Sequence, residues 1–226
     1  MNGLLYASAG GHTVYALNAN TGTLIWSAPI SSLHSDEFSS PAVAGGMVYA
    51  GSPDANLYAL DAATGAVVWK YHTGSEIYSS SPLVANGVVY VGSDDDNLYA
   101  LNAKAGVLLW SYTTGNYVRS SASVARGVVY FSSGDGNLYA LNGSTGGLIW
   151  KAAIGGSESS PAVANGVVYA TGNANNSDNI YALDSASGAV LWSSTVSDFA
   201  SSLAVANGVV YVDDYNTLTA FHLPAQ

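Results

Sequence analysis

With 226 residues, 49% of them hydrophobic, the chain is long enough to bury a core of its own without covalent staples. It contains no cysteine, which excludes disulfides, a CxxC redox pair and any thiolate zinc site. A formal net charge of -10 argues against nucleic acid and anionic membrane surfaces and favours cationic or neutral partners.

The opening residues, Met1 to Tyr6, lack the basic stretch and apolar run of a secretory signal, and no apolar run approaches the length of a membrane span. No membrane insertion is expected. A cysteine-free, lysine-poor chain suits a periplasmic or extracellular setting.

Along the chain, residues 1–38 supply short apolar runs near positions 4 and 14 and a third closing on Trp26. The next unit, 39–78, carries four: Pro41–Ala44, Met47–Ala50, Leu57–Leu60 and Ala66–Trp69. Turn chemistry bounds each run, and none is long enough for a helix, so the unit predicts four antiparallel strands, A to D. The A-to-B turn is Gly45-Gly46 here and Asn86-Gly87, Asn165-Gly166 and Asn207-Gly208 elsewhere, which favours tight hairpins. The pattern repeats in 79–119, 120–158 and 159–200, and 201–226 supply A, B and C without D.

All five tryptophans, Trp26, Trp69, Trp110, Trp150 and Trp192, mark this repeat, at spacings of 43, 41, 40 and 42 residues. Each follows a glycine by four residues, and a period near 41 points to a propeller or a solenoid. Four strands per period favour an all-β propeller of four-stranded blades: one domain with 22 strands in six blade positions, the first and last incomplete. A fragment of a larger propeller and a five-bladed ring with displaced strands are the alternatives. Incomplete terminal blades leave strand edges for pairing with another chain, so self-association is an expected property.

The unit Ser80-Ser81-Pro82-Leu83-Val84-Ala85-Asn86-Gly87-Val88-Val89-Tyr90-Val91-Gly92-Ser93, followed by Asn97-Leu98-Tyr99-Ala100-Leu101-Asn102 and Gly106-Val107-Leu108-Leu109-Trp110, resembles the pyrroloquinoline-quinone-like propeller repeat. The resemblance covers essentially the whole chain and implies a tryptophan that docks between neighbouring blades. It spans both quinoprotein alcohol dehydrogenases and non-catalytic scaffolds similar to a bacterial outer-membrane assembly lipoprotein, so it fixes fold and leaves activity open.

Quinone-dependent relatives need an aromatic platform under the cofactor and in many cases an adjacent-cysteine disulfide above it. All five tryptophans sit at repeat positions and cysteine is absent, so pyrroloquinoline quinone is not expected. No Walker loop, HExxH or GxSxG occurs, and His12, His34, His72 and His222 lie in different repeats, so no catalytic residue is assigned. Tyrosine pairs nine residues apart, such as 49 and 58, are expected to pack across neighbouring strands. The residue opening each C-to-D turn (Asn18, Asp61, Asn102, Asn142, Asp184) reads as a turn former.

Strand alternation puts the D-to-A and B-to-C loops on one face, which collects thirteen of the fifteen acidic residues; only Asp61 and Asp184 go to the other. Aspartate is a good turn residue, and that alone accounts for part of the bias. Beyond it, the acidic face is expected to bind a metal ion, a small cationic ligand or a basic protein. The candidate residues are Asp94, Asp95 and Asp96, the densest group, with Asp36, Glu37, Asp213 and Asp214. Calcium suits clustered carboxylates, although the spacing matches no EF-hand loop. The function expected is a non-catalytic binding or scaffold module; the alternative is a quinone- or metal-binding domain of a larger quinoprotein-like enzyme or a hydrolase.

Overall fold

A computed structural model describes residues 3–9, 13–31, 39–155, 158–174, 177–196, 202–214 and 217–222. These form 22 strands and no helix, arranged as six antiparallel sheets of three, four, four, four, four and three strands. Within every sheet the strands follow chain order, as in Ala42–Ala44, Met47–Ser52, Asn56–Asp61 and Val67–His72. The strands match the expected A, B, C and D runs, and the fold is the all-β propeller that the repeat predicts. Two compact units divide the chain: residues 1–113 with 117–119, and residues 114–116 with 120–226. The first holds sheets one to three and the second sheets four to six.

Neighbouring sheets within a unit are joined by one recurring contact. Tyr6 on strand B and Trp26 on strand D of the first sheet converge on a single carbonyl of the next, with Tyr6 Oη and Trp26 Nε1 donating to Ala62 O at 2.9 and 3.1 Å. Tyr49 and Trp69 do the same at Ala103 O (3.0 and 3.1 Å), and Tyr130 and Trp150 at Ser185 O (3.1 and 3.0 Å). The indole then lies flat over the glycine that ends the receiving turn. A Cβ on Gly65, Gly106 or Gly188 would stand 2.6 Å from the Trp26, Trp69 or Trp150 ring, and all three glycines have positive φ. Glycine is required there twice over, by the backbone and by the ring.

The tyrosine pairs do not pack on one another as expected. Tyr49 is opposite Ala59 and Tyr58 opposite Ala50, so the two rings leave on opposite faces of the sheet. Tyr49 joins the apolar cluster shared with the third sheet, and Tyr58 the cluster shared with the first. The period of two along a strand forces this, because the register places the two tyrosines one residue out of step.

Inner strands are tied by the paired serines. Ser39 Oγ accepts from Gly51 N at 3.0 Å and Ser120 Oγ from Ser132 N at 2.9 Å, each within its own sheet. The second serine reaches sideways: Ser40 N donates to Ser81 Oγ and Ser121 N to Ser160 Oγ, both at 2.9 Å.

A β-bulge precedes every tryptophan. Ala16 pairs Trp26 while Leu17 pairs Leu24, and the same skip recurs in the other four complete C–D pairs. The inserted residue, Ile25, Val68, Leu109, Ile149 or Leu191, is left about half exposed on the outer strand. Alternation alone would have buried one of the two residues before the ring; the bulge turns both outward and twists an edge strand that would otherwise invite pairing.

In the second, third and fourth sheets the B-to-C turn carries a repeated carboxylate that holds the chain around it. Asp54, Asp95 and Asp135 accept from Tyr58, Tyr99 and Tyr139 Oη at 2.6, 2.6 and 2.5 Å, and from the backbone N of Asn56, Asn97 and Asn137. Asp95 also takes Gly74 N, and Asp135 takes Gly115 N at 2.9 Å, which pins the preceding D-to-A loop to the turn. Burial on its own would raise the Asp135 carboxyl, but its hydrogen bonds with Tyr139, Gly115 and Asn137 outweigh it and hold the group below the ordinary range.

Two outcomes follow for stability. Gly106→Ala meets both the left-handed backbone and the Trp69 ring, whereas Gly22, at φ +71, has no neighbouring atom within 4 Å, so Gly22→Ala meets only the backbone. Chemical denaturation should show a loss of about 1 kcal/mol for Gly22→Ala and a clearly larger one for Gly106→Ala; equal losses would remove the ring from the account. Asp135→Asn should cost about 1 kcal/mol at pH 7, the scale of a partly screened charge-assisted hydrogen bond. Because the folded carboxyl titrates below the unfolded value of about 3.9, its contribution is present above that pH and lost as pH falls through the folded value. Melting curves of the native protein and the Asp135→Asn variant should therefore converge in acid; a constant gap from neutral pH to acid would refute this.

Candidate functional site

Loops and turns segregate as strand direction requires. In the first unit, Ile77 N donates to Ser52 O, Asp94 N to Glu76 O and Val118 N to Ser93 O, at 2.9–3.1 Å, so the D-to-A and B-to-C loops form one continuous hydrogen-bonded face. At the other end, Ala62 N donates to Gly46 O and Ala103 N to Gly87 O, both at 2.9 Å, joining the A-to-B and C-to-D turns.

On the loop face the three consecutive carboxylates are used separately. Asp95 is the repeated turn residue described above. Asp94 stands where the neighbouring sheets have Pro53 and Gly134, and it meets Arg119 in a bidentate pair: Nε lies 3.0 Å from Oδ1 and Nη2 2.8 Å from Oδ2. Asp96 takes positive φ, 70°, in the same turn, where the other sheets have Ala55 and Gly136. Among the described residues, no group of three His, Asp or Glu side chains gathers as metal ligands. Asp213 and Asp214 end strand B of the sixth sheet, in the second unit, where Asp213 pairs with Leu218 and Ser202. Asp36 and Glu37 lie outside the described residues.

Arg119 is the centre of what the repeat does not supply. Its guanidinium lies over the Tyr117 ring at 4.6 Å and the Tyr78 ring at 5.3 Å, with Asp94 holding its edge. The Tyr117 approach is well within cation–π range and Tyr78 completes the enclosure. Glu76 borders the group; the Ser75 hydroxyl chiefly, and Arg119 to a smaller extent, hold its carboxyl below the ordinary range. All five side chains are partly exposed.

Sequence reasoning placed Asp94 on the loop face but did not bring Arg119, Tyr78 or Tyr117 to it. Tyr78 and Tyr117 lie outside the Tyr periodicity of strands B and C, and that departure from the repeat was the signal available. Comparing each loop position with its counterparts in the other sheets separates residues that every blade needs from residues one blade has alone.

The model of the family described as outer membrane protein assembly factor BamB matches residues 9–224. A search of curated proteins gives no match. Among solved structures, BamB from Moraxella catarrhalis superposes with a TM-score of 0.75 at 16% identity, covering 97% of this chain and 81% of that one. The computationally designed Ika8 protein gives 0.80 at 16% identity, over 99% and 69%. Quinohemoprotein alcohol dehydrogenase ADHIIG from Pseudomonas putida HK5 gives 0.70 at 15% identity, over 94% of this chain and 49% of that enzyme. At such identities the structures establish the shared propeller, and the family match, which spans nearly the whole chain, establishes membership: the chain belongs to the BamB family of pyrroloquinoline-quinone-like β-propeller repeat proteins.

Proposed function

We propose that this propeller is a non-catalytic binding module that takes a basic segment of a protein partner on its loop face, at the group formed by Tyr78, Asp94, Tyr117 and Arg119 with Glu76 and Asp96. The observation that carries the reading is the departure of this group from the repeat. The Tyr–Trp convergence, the serine ties and the Asp54, Asp95 and Asp135 contacts recur from sheet to sheet and are explained by folding. Nothing in the blade-to-blade packing requires an arginine held between two tyrosines.

The composition suits recognition. Tyrosine and arginine are over-represented among the residues that dominate binding energy, and here both are held in place before a partner arrives. Glu76 and Asp96 add negative charge beside them, and the net charge of -10 steers basic partners toward the chain. Family membership supports a protein partner, and the family's outer-membrane description supports a periplasmic setting.

The tryptophans support the non-catalytic reading. Trp26, Trp69 and Trp150 each lie against a glycine of the next sheet with Nε1 bonded to a carbonyl, so none of these three offers the free indole face that a quinone platform needs. The proposal involves neither a metal nor a quinone.

Isothermal titration of the full chain with a polyarginine peptide, at low and at physiological salt, tests the reading. Tyr117→Ala should weaken binding by about 1–2 kcal/mol, and Glu76→Gln with Asp96→Asn by a few tenths to about 1 kcal/mol per charge. Asp61→Asn, which removes one charge from the opposite face and keeps a turn former, should leave affinity unchanged. If Asp61→Asn weakens binding as much as the loop-face changes, attraction is only to net charge and the site is wrong.

A further inference from the structure

The hairpin between strands A and B of the fourth sheet breaks a turn rule that the other sheets keep. Gly45, Asn86, Asn165 and Asn207 open this turn elsewhere; here Arg126 does, at φ +50°. Glycine takes that left-handed conformation freely and asparagine tolerates it, whereas arginine has neither advantage. The turn closes on Gly127 at positive φ as its counterparts close on glycine, so hairpin geometry gives no reason for the exchange. Side chains held in such a conformation tend to collect at binding sites.

A second departure from the repeat lies beside the first. The residue after the one that opens the C-to-D turn is Ala19, Ala62, Ala103 or Gly143 in the first four sheets and Ser185 in the fifth. Its carbonyl receives Tyr130 Oη and Trp150 Nε1 as the repeat requires, and its hydroxyl is the addition. Within the second unit the two exchanged residues meet in one cleft of about 130 Å³ between the fourth and fifth sheets, lined also by Ala125, Tyr130, Val163 and Asn165.

The cleft sets one positive group against apolar walls. Burial chiefly raises the Tyr130 phenol; the Ser185 hydroxyl and the Arg126 guanidinium oppose it and the Asp184 charge adds to it, which places all three groups around the Tyr130 oxygen. Among the described residues no carboxylate pairs with Arg126, whereas Arg119, the other arginine, is paired with Asp94. The Asp184 carboxylate is committed to its own turn, accepting from Ala186 N, Ser187 N and Ser187 Oγ. Ala125, Val163 and Ala164 supply the apolar side.

Charge and volume narrow the ligand. A guanidinium fork matches a carboxylate in plane and spacing. Asp184 and the net charge of -10 disfavour a doubly charged phosphate more than a singly charged carboxylate. The volume suits one ring or one branched aliphatic group and nothing longer.

We propose that this cleft binds a carboxylate attached to a compact apolar group. Arg126 takes the carboxylate, the Ser185 hydroxyl donates to it, and Val163 with its alanine neighbours holds the apolar part. A small carboxylic acid carries such a group, and so does the last residue of a peptide that ends in an aliphatic side chain. The cleft lies on the turn face and shares no residue with the loop-face group.

Amide chemical-shift titration of the full chain with benzoate tests the proposal. Benzoate should shift the amides of Arg126, Val163 and Ser185 and saturate in the millimolar range. Benzamide, its neutral counterpart, should bind at least about tenfold more weakly, and inorganic phosphate should not displace benzoate. Arg126→Asn restores the turn residue of the other sheets, so it should raise the melting temperature while lowering benzoate affinity at least about tenfold. Ser185→Ala, which restores the repeat residue, should lower it about threefold. Neither variant should alter polyarginine binding, so failure here and failure at the loop face are read separately. The tripeptide Gly-Gly-Leu and its C-terminal amide distinguish the sources: tighter binding than benzoate by the free tripeptide alone assigns the cleft to a peptide C-terminus, and weaker binding assigns it to a small acid. No shifts around the cleft, equal binding of benzoate and benzamide, or an Arg126→Asn variant that binds benzoate as the native chain does would overturn the proposal.

Discussion

The structure depends on one contact, in which the tyrosine of strand B and the tryptophan of strand D converge on a single carbonyl in the next sheet. The indole is a large buried surface whose truncation costs about 3–5 kcal/mol in a typical core. Its N–H needs a partner, and the carbonyl supplies one without adding charge. Because both donors meet at the same oxygen, the contact fixes the angle between successive sheets as well as their separation. The glycine beneath the ring is the other half of the joint, since any side chain there would push the sheets apart.

Once the sheets are set by that joint, the loops have little freedom. The paired serines bind the inner strands, and the turn carboxylates catch the D-to-A loops. Charge is sparse and mostly aspartate, which follows from how it is used: a short carboxylate reaches a backbone N–H two residues on and a tyrosine hydroxyl four residues on. The acidity of the loop face at Asp54, Asp95 and Asp135 is thus a by-product of turn construction. Asp94, paired with Arg119, and Glu76 beside it stand outside that construction.

The same economy leaves apolar surface exposed in two places for two different reasons. On the outer strands, aliphatic residues face solvent because a bulge turns them out, and the bulge itself protects the edge. At Leu5 and Leu218 the strands are regular and the exposure comes from the absence of a covering sheet among the described residues.

The sequence by itself determined the number and order of strands, the turn types and the periodic placing of tryptophan, because these are local: a period of two, a glycine with positive φ and an Asn-Gly turn are legible in a few adjacent residues; that the tryptophan docks between neighbouring blades was what the family resemblance implied. It also separated loop face from turn face, since strand alternation admits no other assignment. Tertiary structure decided the rest. That Tyr49 and Tyr58 leave on opposite faces depends on register, and that Asp94, Asp95 and Asp96 have separate roles depends on what the neighbouring loops bring to them. The ring–guanidinium group joins Tyr78, Asp94, Tyr117 and Arg119 across 41 residues of sequence and three loops. No local signal encodes such a meeting, because it arises only when successive blades are stacked and their loops are pressed side by side.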